Sequence, residues 1–154
     1  MGSVMFYHLT RSSAEQTARV LITRALAQGW PLMLRGTDPA ELNRLDARLW
    51  TVPETGFVPH GMEGGPHDAR QPLLLGTGAA VNGAQGLLLI DGAETTAEEA
   101  RRLERVWILF DGDNPARLAH ARQQWKDLTA AGLPAQYWSE ETGRWAKKAE
   151  KPPS

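Results

Sequence analysis

The sequence predicts a single three-layer α/β domain, a mostly parallel sheet with helices on both faces, and three observations support this. Apolar runs of strand length alternate along the chain with segments of helical period. Capping residues open the helical segments and glycines close them. The 154 residues, 42% hydrophobic and 23% charged, suffice for one buried core. Strands that alternate with helices need crossover connections, which favour parallel pairing with both sheet faces covered.

The elements follow in order. Val4–Leu9 is β-prone, and Thr10–Ser13 supply hydroxyls to cap a helix over Ala14–Gln28, where Ala18, Leu21, Ile22, Ala25 and Leu26 recur at helical spacing. Gly29 stops that helix, and Pro31–Arg35 is a buried strand. Thr37-Asp38-Pro39 opens a second helix that runs to about Leu49, with proline at its first position. The following segment carries Trp50 and Phe57 and is broken by Pro53 and Pro59, so loop or sheet edge is expected. Gly61–Ala69 is expected to be an exposed, mobile loop. Strands are expected over Pro72–Gly76 and Gly86–Asp91, a charged helix over Ala97–Glu104, and a strongly buried strand over Arg105–Phe110. Asp113-Asn114-Pro115 starts a long helix that ends at Gly132, followed by a strand at Pro134–Ser139 and a short one at Arg144–Lys148. The domain is thus expected to span residues 1–148, with 149–154 a flexible basic, proline-containing tail.

Composition removes several function classes. The chain has no cysteine, which excludes disulfides, thiolate zinc sites and cysteine nucleophiles and suits a reducing cytoplasm. The net charge of −1 argues against a direct DNA-coating or membrane-surface protein. Its apolar runs are too short to span a bilayer, and the N-terminus lacks the pattern of a secretory signal. No membrane partner and a cytoplasmic location are therefore expected.

Nucleotide chemistry is the first test for such a fold. Gly76-Thr77-Gly78-Ala79-Ala80-Val81 offers two of the three glycines of a dinucleotide fingerprint, and no convincing helix follows to hold a pyrophosphate. A plain turn is the better reading, and no P-loop lysine motif exists. His60 and His67 flank a glycine-rich stretch without metal-ligand spacing, so no metal or other cofactor is expected. Ser12 and Ser13 suit helix capping, and Glu98-Glu99 and Glu140-Glu141 look like solvated faces. No catalytic constellation assembles.

In the long helix, Leu118, Ala121, Trp125 and Leu128 recur as a core stripe, while Arg122 and Lys126 sit one turn and one residue from Trp125. Spacing alone leaves core stripe and amphipathic pocket equally open. Such a pocket, cationic at its rim and apolar at its base, would suit an acidic peptide ending in an aromatic residue.

Leu45-Asp46-x-x-Leu49-Trp50 followed by Phe57-Val58-Pro59-His60 resembles the signature of the chi subunit family of bacterial DNA polymerase III holoenzyme. Phe6-Tyr7, Asp111, Arg122, Trp125-Lys126 and Ala131-Gly132 extend the resemblance over nearly the whole chain. It implies a Rossmann-like fold without a dinucleotide fingerprint. It also implies a non-enzymatic replisome adaptor that links the clamp loader, through its partner psi, to single-stranded-DNA-binding protein. That adaptor grips the acidic C-terminal tail of the binding protein, which ends in phenylalanine, so any DNA contact is indirect. The family's tail-binding positions fall on Arg122, Trp125 and Lys126, with tryptophan where tyrosine is common. A family lysine falls on Leu118, with Arg117 beside it. Positions that contact psi or a helicase-like partner fall on Trp50 and Phe57. The rival reading is a nucleotide- or small-molecule-binding α/β enzyme that uses the Gly76–Gly86 loop, with a deep pocket at the C-terminal ends of the strands.

Overall fold

The computed structural model describes residues 2–51, 60–65, 68–140 and 144–152, with backbone alone for 49–51. Eight strands, β1 (Ser3–Leu9), β2 (Leu32–Arg35), β3 (His60–Met62), β4 (Leu73–Gly76), β5 (Gly86–Leu89), β6 (Arg105–Asp111), β7 (Ala135–Ser139) and β8 (Ala146–Lys151), form one sheet. Its order is β3-β4-β2-β5-β6-β1-β7-β8. Every pairing is parallel except β7–β8, which is antiparallel. Four helices, α1 (Ala14–Ala27), α2 (Pro39–Thr51), α3 (Ala97–Arg101) and α4 (Pro115–Ala130), cover the two faces. The α/β class is therefore as the sequence predicts.

Strand alternation sorts the core into two layers, because successive side chains point to opposite faces. Leu32, Leu34, Leu73, Leu75, Leu88, Trp107 and Leu109 meet α1 and α2 on one face. Val4, Phe6, Met33, Leu74, Leu87, Leu89, Val106, Ile108 and Phe110 meet α3 and α4 on the other. Central strands buried on both faces read as continuous apolar runs in the sequence.

The caps lie where the sequence puts them. Ser13 and Gln16 form a reciprocal capping box on α1. Asn114 Oδ1 accepts from the amides of Ala116 and Arg117 to open α4, with Pro115 at the first position. Gly29 and Gly132 adopt positive φ just beyond α1 and α4.

Several boundaries differ from expectation, and α3 and β5 stop short of theirs, at Arg101 and Leu89. Gly61 and Met62, expected within a mobile loop, form edge strand β3 together with His60, and Asp68–Arg70 is a 3₁₀ turn. Residues 149–151, expected in the flexible tail, complete β8 by pairing with β7. The second helix continues to Thr51, so Trp50 belongs to its last turn rather than to the loop beyond. The Trp50 side chain and all of Phe57 lie outside the described residues.

Candidate peptide-binding site

α4 lies across the face built from β1, β5 and β6, with Ala121, Gln124 and Leu128 turned to the sheet. Around the helix, Leu118, Arg122, Trp125 and Thr129 fall within about 60°, and Lys126 lies about 40° further on. This stripe starts at the margin of the core and ends in solvent. Trp125 is half-buried, its ring 5.3 Å from Phe6 in an edge-on contact and 6.1 Å from Tyr137. Leu118 also packs against the core from this margin.

Arg122 and Lys126 are exposed, and neither side chain pairs with a described carboxylate. Asp127, the nearest acid along the helix, is engaged by Gln123 at 2.9 Å and faces away from the stripe. Tyr137 continues the apolar wall toward β7, and its hydroxyl meets His8 Nδ1 at 2.9 Å. The ring of His8 in turn lies against Gly112, where a Cβ would collide with it. The three residues singled out by spacing thus share one helix margin, with Tyr137 beside them. Helical period could not show Tyr137, because the next element, β7, supplies it.

Arg117 does not join this stripe. It sits about 100° around the helix from Leu118, with its guanidinium against the Gly92 turn and its charge bearing on Asp91.

The C-terminal edge of the sheet is where a fold of this class would hold a nucleotide. Here the protein's own acids fill its turns. Glu140 Oε1 accepts from the amides of Thr10, Arg11 and Ser12 at 3.1, 2.8 and 2.6 Å, and Oε2 accepts from the Ser12 hydroxyl. That is the turn between β1 and α1. Burial alone would raise the Glu140 carboxyl, but the Ser12 and Arg11 amides, the Ser12 hydroxyl and the Thr10 amide outweigh it and hold it low.

Glu63 closes the second turn, accepting from the amides of Thr77 and Gly78 and from the Thr77 hydroxyl. These contacts keep its carboxyl below the ordinary range, the Thr77 amide foremost. A Cβ at Gly76 would collide with that carboxylate, so Gly76 accommodates Glu63 rather than a pyrophosphate.

Between the turns is an open recess lined by Arg35, Thr77, Gly78, Glu94 and Glu99. Its arginine is consumed. Arg35 is bidentate to Glu99 at 2.8 and 2.7 Å and also donates to the carbonyls of Gly78 and Glu94. Arg35 in turn lowers the Glu99 carboxyl. Glu99 and Glu140 are therefore structural ion-pair and hydrogen-bond partners, which corrects their reading as solvated faces. The polar groups here satisfy one another, and the recess is open rather than the deep pocket that the enzyme reading requires.

His60 is buried, and its Nε2 lies 3.1 Å from both the carbonyl and the carboxylate of Asp46. This contact fastens β3 to α2. Among the described residues no group of three or more His, Cys, Asp or Glu could hold a metal ion, and His67 lies outside them.

Fold and site together define a Rossmann-like α/β domain whose turns at one sheet edge are closed by its own carboxylates, and which carries on one helix margin two exposed cations without a described carboxylate partner. A model of the family "DNA polymerase III chi subunit, HolC" matches residues 1–136, so the chain belongs to the DNA polymerase III chi subunit family. It is similar to the DNA polymerase III subunit chi of Pseudomonas aeruginosa, 33% identical over 94 residues. That stretch covers 58% of this chain and 63% of the relative, less than two thirds of the relative's length. No described helix is long and apolar enough to cross a membrane.

Proposed function

We propose that the protein is a non-catalytic replisome adaptor that binds the acidic C-terminal tail of single-stranded-DNA-binding protein at the α4 margin. In this reading it links that protein to the clamp loader, through a psi subunit where one is present, and uses the Trp50–Phe57 segment for the second partner. The observation that carries it is the pair of exposed cations, Arg122 and Lys126, flanking the half-buried Trp125 ring without a described carboxylate partner. Membership of a DNA polymerase III subunit family supports the replisome setting. A terminal aromatic residue of the tail would lie against Trp125 and Tyr137, and its carboxylates would meet the two cations.

The test is a fluorescence-anisotropy titration with a labelled tail peptide and with the same peptide lacking its terminal phenylalanine. The full peptide should bind and the truncated one should bind far more weakly. Equal binding of both, or of neither, rejects the proposal. Arg122→Ala and Lys126→Ala should each weaken binding by about 1–3 kcal/mol, the range for a charge-assisted contact. Added salt should weaken it further.

A further inference from the structure

The opposite face of the sheet carries an open groove at the β7–β8 end. α1 and α2 cover the rest of this face, but β7 contributes no buried residue to their core. Tyr7 and Trp138, paired in register on β1 and β7, form the floor. Gln16, Val20 and Arg24 form one wall, and Trp145, edge-on to Tyr7 at 5.2 Å, forms the other. The cavity measures about 640 Å³.

Three features describe what would fill it. Val20, Val81 and Trp145 are the exposed large apolar side chains among the described residues, and two of the three line this groove. Gln16, Val20 and Arg24 are spaced by four, a ridge of the kind that a neighbouring helix packs against. From Gln16 to Arg24 this ridge spans about 12 Å, a little over two helical turns. The charge has one sign: Arg24 is exposed without a described partner, and no carboxylate lines the groove among the described residues. The Tyr7 hydroxyl also makes no hydrogen bond to a described residue, and both cations that act on it, Arg105 and Arg24, lie on this side.

We infer that this groove is a second docking site, taking an amphipathic helix of a partner protein that lays aliphatic residues along Val20, Leu21 and Trp145 and places a carboxylate against Arg24. Such a helix would complete the layer that α1 and α2 leave unfinished. The site is separate from the α4 margin, which lies across the sheet, and from β3, which is at the other edge. A nucleic acid strand suits it less well, because it offers one arginine at its mouth rather than a track of cations.

The test places the photo-crosslinker p-benzoylphenylalanine at position 20 of the full chain, with position 127 on α4 as control, in cells that make the protein. Crosslinked peptides are then sequenced by mass spectrometry. The expected adduct is a protein segment of helical apolar period with an acid on the same face. Arg24→Glu should cut its yield at least about tenfold, and reversing the partner's acid to lysine should restore it. Lys126→Ala should leave it unchanged, which separates this site from the one proposed on α4. An adduct with a second copy of this chain, with nucleic acid, or with a segment indifferent to Arg24→Glu overturns the inference. So does a yield no higher than at position 127.

Discussion

The indole of Trp125 seals the core margin beneath α4 through Phe6 and Tyr137 and also walls the candidate peptide site. Stability and binding should therefore fall together when it is truncated. Trp125→Ala should cost about 2–3 kcal/mol in urea unfolding, below the range for a fully enclosed tryptophan, and should abolish peptide binding. Trp125→Tyr keeps an aromatic wall and should retain most of both. Arg122, Trp125 and Lys126 were legible as a group because helical period alone brings them to one side. Glu140 was not. Its amide partners lie up to 130 positions earlier, so its local sequence shows only an acidic pair near a chain end. Glu63 and Gly76 were hidden in the same way, since the glycine is explained by a carboxylate from another segment.

Whether an element could be read depended on how much of its cause was local. Helices α1 and α4 carry their own start and stop signals, and the structure uses each of them. Asn114→Ala should cost about 1 kcal/mol in thermal unfolding, because two amides at the start of α4 lose their acceptor. Strand β3 carries no such signal. Its three residues include a glycine and follow a proline, and pairing with β4 and the His60–Asp46 contact make it a strand. The extension of β8 to Lys151 likewise comes from β7, which supplies a partner for residues of low β-propensity.

Across the whole molecule, Glu63, Glu99 and Glu140 hold the turns at one edge of the sheet, and all three carboxyls are depressed in the fold. The sign of the pH dependence follows. A depressed carboxyl contributes stability that is complete above its unfolded value, about 4.3 for glutamate. That contribution disappears as pH falls through the lower folded value. Unfolding free energy should therefore hold steady down to about pH 5 and then decline. The double variant Glu99→Gln, Glu140→Gln should be less stable at neutral pH and show a shallower acid decline in denaturant titrations. Strand β8 has a consequence for solubility. Its side chains are almost all exposed, with lysines at 147, 148 and 151, and it ends the sheet as a charged hem. The strand beneath it, Ala135–Ser139, has no formal charge and two aromatic rings. A chain shortened to residue 145 would bare that edge as a template for strand-to-strand growth. Light scattering should then show concentration-dependent polymers that the full chain does not form.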